Sequence, residues 1–441
     1  MIVTKGTLIV EGKTKRLFEV KEDPGLLIVE NKADITAFDD PAYTQQIPAK
    51  AKYATQTTCG IFEMLHACGL PVAYAAYVRQ PSETEFVAPK VTMIPLEVVT
   101  RRLAVGSFLE RRPDYCQEGR PLRFHRLKTE FFLKTTRGKI TIEGKEHDLG
   151  LPLIPGKEGD KPLDDPLIQY PFSTSWELYH PKKPSWDKTA KLGRQFDPFR
   201  FSSLLEEMDK INRQAFLLIE AFWANLGFVL VDWKIEFGTI ADGLLVIADV
   251  IDNDSWRLRD PEFKEVSKQV FRDGGQLDEV ESKYGYVASM VSQFRLPKQA
   301  LVIWKGSKDD KSPEVPNIAG VEKVEIVLSG HKQTQSCLKK LEELQRDYPD
   351  GGVIIAVVGM SNGLGPVLSS HSVWPVVGVP LTAKEFPDDV WSSLRLPSQN
   401  PMATVLSDKN AVLFALNILG LKNPAAYMER QFALEQLDTV Y

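Results

Sequence analysis

The residues with the most evident chemistry lie near the middle of the chain. Leu230-Val-Asp-Trp-Lys-Ile-Glu-Phe-Gly238 alternates charged and apolar side chains. As a strand it places Asp232, Lys234 and Glu236 on one face. Thr239 to Gly243 supply a turn. A second apolar run, Leu244 to Ala248, ends in Asp249, Asp252 and Asp254, with Arg257 just beyond. Hairpin pairing brings Glu236 close to Asp249. Carboxylates gathered in one cleft repel one another unless a cation sits among them. Oxygen ligands suit a hard cation, and Mg²⁺ held by one or two carboxylates usually carries a nucleotide's phosphates. The plain alternative is an exposed charged hairpin. The Val, Ile and Leu residues around the charges argue against it, because charge in an apolar strand is rarely kept without a partner.

Other segments supply complementary charge. Glu11-Gly-Lys-Thr-Lys15 lies between two apolar runs, where a glycine lets backbone approach a phosphate and two lysines offset its charge. It lacks the Walker spacing, and a solvated turn is the commoner meaning of such a segment. Arg101-Arg102 followed by Gly106-Ser107 can hold an anion bidentately or can open a charged helix. Lys52 to Cys68 and Ser203 to Leu226 have helical apolar spacing, the first ending at Gly69 and the second at Gly227. Residues 135–200 are rich in Pro, Gly and Lys and read as a long irregular insertion, a flap over a cleft.

From Ala300 the pattern changes to apolar strands alternating with helices, which predicts a parallel sheet covered on both faces. Ligands on such a sheet bind beyond the C-terminal ends of the strands. Gly306-Ser-Lys-Asp-Asp310, Ser329-Gly-His-Lys332 and Gly359-Met-Ser-Asn-Gly-Leu-Gly-Pro366 each follow a strand. Each alone is an ordinary turn; three together point to a site.

The chain has 441 residues, 43% hydrophobic and 26% charged, a composition suited to two or three globular domains. A net charge of −5 gives no reason to expect nucleic acid as a partner. Four cysteines without a CxxC pair fit reduced thiols and a cytoplasmic location, and six scattered histidines show no zinc spacing. No apolar stretch is long enough to span a membrane, and no secretory signal is visible.

Several of these segments resemble known families. Glu11 to Lys15, Met93-Ile-Pro-Leu-Glu97, Arg101 through Ser107, Asp232 to Gly238 and Asp249-Val-Ile-Asp-Asn-Asp-Ser-Trp-Arg-Leu258 resemble SAICAR synthetase. Gly359 to Pro366 and Asp389-Val-Trp-Ser-Ser-Leu-Arg-Leu-Pro397 resemble the class II AIR carboxylase domain. The order of the halves resembles the animal bifunctional purine-synthesis family. The resemblance implies a two-lobed α+β ATP-binding ligase domain over residues 1–293 and a three-layer α/β parallel-sheet domain over 297–441. It implies that the first domain joins L-aspartate to the carboxylate of carboxyaminoimidazole ribotide (CAIR) through an acyl phosphate, using ATP and Mg²⁺. Lys13 and Lys15 would then face phosphates, the backbone from Met93 to Leu96 would hold adenine, and Glu236 and Asp249 would hold Mg²⁺. Asp232 and Lys234 would lie near the transferred phosphoryl group. Lys50, Arg101, Ser107, Asp254 and Arg257 would face the ribotide or aspartate. The second domain would carboxylate aminoimidazole ribotide (AIR) with CO₂, without ATP or biotin. His331 would carry the proton, and Ser307, Asp310, Lys332, Ser361 and Asn362 would contact substrate. The resemblance also implies homo-oligomers built on an octameric core, with small molecules as the other partners.

The chain departs from these families in places. Phe38 to Lys52 differs from the synthetase loop, with Ala49 before Lys50 in place of glycine. Asp309 replaces a phosphate-loop serine, Gly330 an alanine, and Met360 an arginine. A carboxylate at 309 repels a ribotide phosphate unless Lys308 or Lys311 offsets it. These changes leave open whether the second half carboxylates AIR, whether the ligase acts on another carboxylate, and whether the chain is a nucleotide-binding assembly or regulatory protein.

Overall fold

The computed structural model of the chain describes residues 1–12, 14–36, 44–47, 49–142, 144–155, 159–197, 201–266 and 277–437. Two compact units form: Met1–Phe294 with the chain end from Glu435, and Arg295–Leu434. Each has its own sheet system.

The first unit holds two larger antiparallel sheets. One has four strands in the order Lys5–Glu11, Lys15–Val20, Leu26–Asn31 and Glu85–Pro89. The other has eight, with Val229–Thr239 next to one end of the order and paired on both sides. Thr92–Leu103 pairs along one edge of that strand. Leu245–Ala248 and then Trp256–Arg259 share its other edge. The chain therefore leaves the sheet at Asp249 and returns at Trp256, and the acidic stretch between is an excursion from the ladder.

The two-residue period explains why the central strand can carry charge. Trp233, Ile235 and Phe237 are buried. The Trp233 ring meets Phe216 of the Ser202–Asn225 helix edge-on, centroids 5.4 Å apart. Asn212 pins that helix to the sheet. Its Nδ2 donates to Thr100 Oγ1 at 2.5 Å, and the Trp233 indole N–H donates to its Oδ1 at 3.1 Å. Asp232, Lys234 and Glu236 face the other way. The helix Lys50–Ala67 ends, as its spacing predicts, where Gly69 turns to a φ of 78°.

The stretch expected to be an irregular insertion is in part regular. Leu167–Gln169, Trp176–Tyr179 and Lys191–Phe196 extend the eight-stranded sheet beyond Arg123–Leu133. Leu167, Ile168, Trp176 and Leu178 are buried. Their strands are too short for an alternation to stand out among the prolines and glycines around them.

The second unit is a parallel sheet in the order Val321–Val327, Gln299–Lys305, Gly352–Val358, Val376–Pro380 and Ala403–Thr404. Every residue of Gln299–Lys305 and Gly352–Val358 is buried, as a sheet covered on both faces requires. Ala300, Val302, Trp304, Ile354 and Ala356 pack with Cys337, Leu341 and Leu344 of the helix Thr334–Asp347 and with Leu364 and Leu368 of a shorter one. Asp408–Leu419 lies against the Gly352–Val358 and Val376–Pro380 strands. Among the described residues no helix is long and apolar enough to cross a membrane.

Replacing Asn212 by Ala leaves two buried polar groups without partners, a cost of about 1–3 kcal/mol. The Asn212→Ala protein is expected to unfold at lower temperature in calorimetry, and an unchanged midpoint would refute the pinning role.

Candidate active site

Asp232 occupies the middle of a buried charge relay. Its Oδ2 accepts from Arg101 at 2.7 Å and from Arg257 at 2.5 Å. The register dictates this, since Arg101 and Arg257 are the cross-strand partners of Asp232 on its two neighbours. Arg101 also donates to Glu130 at 2.9 Å, to the Val105 carbonyl at 3.1 Å and to Ser107 Oγ at 3.1 Å. Glu130 in turn accepts from Arg111. Burial works against the Glu130 charge, but Arg101 and Arg111 outweigh it and hold the carboxyl below its usual range. Gly106 has a φ of 59°, and a Cβ there would lie 2.6 Å from the Arg257 guanidinium. Arg257 thus reaches Asp232 over a glycine that no other residue can replace without strain.

The neighbouring charges form three lysine–carboxylate pairs. Lys15 pairs with Asp249, Lys134 with Glu236 (2.5 Å) and Lys234 with Glu97. Asp249 has a φ of 67°, a conformation that aspartate tolerates better than most residues, and its Oδ1 accepts the Val250 N–H at 2.8 Å. Removal from water is the first cause that pushes the Lys15 ammonium down, to about 8, even with 24% of its side chain exposed. Lys134 and Lys234 add to that shift, and Glu236 and Asp252 oppose it. For Lys234 the balance is reversed. Burial opposes its charge, Glu97 outweighs burial, and the ammonium is held above the usual lysine range. Among the described residues no three His, Cys, Asp or Glu side chains stand together as a metal cage. Glu236, opposite Ala248, and Asp249 supply two carboxylates, the donor set of a hard cation that takes its remaining ligands from water and phosphate.

A third group lies on the acidic excursion. Asp254 accepts from the buried Tyr284 hydroxyl and pairs with Lys50 at 3.4 Å. Burial disfavours the Lys50 charge, and Asp254 with Asp252 more than compensates, so its ammonium stays above the ordinary range.

The structure therefore brings together Lys15, Lys234, Glu236 and Asp249, and links Arg101, Ser107 and Arg257 in a second cluster around Asp232 on the same strand. Lys50 and Asp254 pair with each other. Lys13, and the stretch 37–43 of the altered loop, lie outside the described residues. Met93 is exposed and Leu96 fully buried, so Leu96 offers a ligand only its backbone. Arg101 and Arg102 open no helix: both are strand residues, and Arg102 turns to Glu220 at 2.6 Å.

Sequence reasoning assigned no role to Glu97, Glu130, Lys134, Asp165 or Tyr284. Glu97, Glu130 and Lys134 sit at or just past strands whose apolar runs draw attention away from them. Asp165 lies in the supposed insertion. Its backbone takes a φ of 50°, its Oδ1 accepts the Thr135 N–H at 2.9 Å and its own N–H donates to Thr135 Oγ1 at 2.8 Å. Burial, and then the nearby Glu97 charge, push its carboxyl up to about 7, against the pull of Thr135 and Lys234.

In the second unit two of the three strand-end loops meet. The His331 ring packs on Gly363, where a Cβ would lie 2.3 Å from it, and a Cβ on Gly330 would lie 2.6 Å from the Leu364 backbone. Asn362 is buried and committed to the fold: Nδ2 donates to Ser393 Oγ at 3.0 Å and Oδ1 accepts from the Gly365 N–H at 2.8 Å. The Ser307 N–H donates to Asp310 at 2.9 Å, and the Asp309 N–H to Ser307 Oγ at 3.3 Å. Met360 is 75% exposed. Ser361 and Lys332 stand at the same strand ends, the Lys332 N–H donating to Ser329 Oγ at 3.4 Å.

The sequence matches the SAICAR synthetase family over residues 8–144 and 192–291 and the AIR carboxylase family over 288–436. It is 34% identical over 435 residues to a Caenorhabditis elegans protein named "Probable multifunctional protein ADE2", covering 94% of this chain and 90% of that one. The human "Bifunctional phosphoribosylaminoimidazole carboxylase/phosphoribosylaminoimidazole succinocarboxamide synthetase" is 31% identical over 447 residues, 96% of this chain and 92% of that one. A Chloroflexus aurantiacus phosphoribosylaminoimidazole-succinocarboxamide synthase is 33% identical over 297 residues, 66% of this chain and 97% of that protein.

The raised Asp165 carboxyl sets a pH dependence. Between the ordinary carboxylate range and about 7 the folded chain holds a proton that the unfolded chain has released, so this group's contribution to stability falls as pH climbs through that window. Asp165→Asn is expected to flatten the fall in thermal midpoint as pH climbs toward about 7. A midpoint profile parallel to that of the unaltered protein would count against the assignment.

Proposed function

The chain belongs to the bifunctional purine-synthesis family that joins a SAICAR synthetase to an AIR carboxylase, and on that premise we propose how its first unit ligates L-aspartate to CAIR with ATP. The observation that carries the reading is the convergence of Lys15, Lys234, Glu236 and Asp249 beside the buried Asp232 relay. Phosphoryl transfer needs cations around the phosphates and an aligned acceptor more than it needs a protein nucleophile. Lys15 holds the phosphates, and Lys234 stands by the group being transferred. The backbone from Met93 to Leu96, at the start of the Thr92–Leu103 strand, receives adenine. Glu236 and Asp249 would hold Mg²⁺, which would supply charge neutralisation at the phosphates.

A carboxylate oxygen of CAIR attacks the terminal phosphorus and ADP leaves. The neutral aspartate amine then attacks the acyl carbon, phosphate departs with the carbon–oxygen electron pair, and the amine proton passes to solvent. Arg257, partly exposed, offers its guanidinium to the substrate carboxylates or ribotide phosphate, while Arg101 lies buried behind it, bonded to Asp232, Glu130, Val105 and Ser107. Asp232 does not take the proton in this scheme. It fixes the two arginines at one spacing, a positioning role. Lys50 and Asp254 border the same cleft on the aspartate side.

In the second unit we propose that His331, seated on Gly363, carries the proton during carboxylation of AIR, with Ser361 beside it. The fit of the loops supports this reading. Asp309 and the exposed Met360 weigh against a strong phosphate site. The same unit exposes Leu413, Phe414 and Leu421, apolar residues of the kind a homo-oligomer interface covers.

The reading predicts ADP release only when CAIR and L-aspartate are supplied together, measured by a coupled assay. Release with aspartate and a different carboxylate, but not with CAIR, would favour an amide ligase of other specificity. Asp249→Asn is expected to lower turnover by at least about 100-fold, as loss of charge stabilisation at a transferring group does, while leaving the thermal midpoint near that of the unaltered protein.

A further inference from the structure

Lys134 has no role in the reading above, yet its ammonium lies 2.5 Å from Glu236 Oε1. It follows the strand Arg123–Leu133, and its backbone N–H donates to the Pro95 carbonyl at 3.0 Å. The lysine is therefore anchored to the same Met93–Leu96 backbone that faces adenine. Its side chain is 43% exposed, while that of Glu236 is only 9% exposed. The buried partner is the carboxylate, and the exposed partner is the cation.

Three lysine–carboxylate pairs stand at this point. Lys15, Lys134 and Lys234 each hold one carboxylate, Asp249, Glu236 and Glu97. A divalent cation arriving alone at Glu236 and Asp249 must displace two ammonium groups and then face them at short range. A polyphosphate arriving alone must sit against carboxylates. When both arrive together, the lysines turn from carboxylate to phosphate and the carboxylates turn from lysine to metal. Each charge keeps a partner throughout, and no bare like-charge contact remains.

We propose that Lys134 is a placeholder cation on Glu236 that passes to the nucleotide phosphates when the divalent metal takes its carboxylate, so that metal and nucleotide bind as one unit. This rests on Glu236 as a metal ligand. Lys134 would compete with metal for Glu236 and cooperate with metal for nucleotide. By linkage, metal raises nucleotide affinity by the same factor as nucleotide raises metal affinity.

The test uses the full chain with Mn²⁺ as the metal probe, read by electron paramagnetic resonance, and ADP as the nucleotide, read by calorimetry. The unaltered protein is expected to bind Mn²⁺ weakly alone and at least about tenfold more tightly with ADP, a coupling of about 1.4 kcal/mol. Lys134→Met removes the competitor. It should bind Mn²⁺ alone more tightly than the unaltered protein, bind ADP with Mn²⁺ more weakly, and so lose most of the coupling. Lys134→Arg should retain it. Equal or weaker binding of Mn²⁺ alone by Lys134→Met, or an unchanged affinity for ADP with Mn²⁺, overturns the placeholder role. If the unaltered protein binds no Mn²⁺ even with ADP, Glu236 and Asp249 are not metal ligands, and the inference falls together with the reading it rests on.

Discussion

Asp232 is a carboxylate with 5% of its surface exposed, held between two guanidinium groups. A charge so placed is tolerated only while both partners remain, because removing one leaves the other buried and uncompensated. The three residues lie on three adjacent strands in direct register. The ion cluster therefore ties Thr92–Leu103, Val229–Thr239 and Trp256–Arg259 together on their polar face, while Trp233 and Phe216 tie the same strands to a helix on the other. A slip of one residue in any of these ladders would turn Trp233 toward the charges and Asp232 into the core. The hydrophobic face and the charged face specify the same register.

The rest of the site is built on that fixed register. Glu236 lies four residues along the strand from Asp232 and so shares its face. Asp249 begins the excursion just past Ala248, the residue opposite Glu236. The excursion has a local cause: Asp249 takes a positive φ, and the Asp252, Asp254 and Ser255 side chains and backbone bond to one another and close the loop. Trp256 then re-enters the sheet, its indole donating to Asn253 at 3.2 Å. A loop pinned at both ends in this way brings its carboxylates to the strand with little freedom to move away from one another, which is the condition for a site that carries charge at a fixed spacing.

Much of this was legible because alternation over Leu230–Gly238 is a strong periodic signal, and a charge within an apolar alternation names its own face. The partners were less legible. Glu97 and Lys134 come from segments distant in sequence, and the pairing of Lys234 with Glu97 depends on strand order, which periodicity does not supply. Asp165 was hidden for a different reason. It sits in a stretch of prolines, glycines and lysines whose strands span only a few residues, below the length at which a two-residue period can be told from chance. In the second unit, the strands Ala300–Trp304 and Gly352–Val358 were plain as continuous apolar runs. The commitment of Asn362 to Ser393 was not, since a buried amide and a substrate-facing one look alike in sequence.

The second unit separates what holds a fold from what gives it chemistry. Its core residues, Val302, Trp304, Ile354 and Ala356, lie within the strands, and from the strand-end segments 306–310, 329–332 and 359–366 the buried core takes in Leu364. The loops can therefore change without loss of the sheet. Gly330 leaves no room for a Cβ against Leu364, so the loop that carries His331 lies as close to the 359–366 loop as backbone allows. The Ser307 loop satisfies its own N–H groups with Asp310 and Ser307 Oγ. An anion entering there has to displace an intramolecular carboxylate rather than water. The parallel sheet fixes where a ligand can sit, and the loop charges decide which ligand stays.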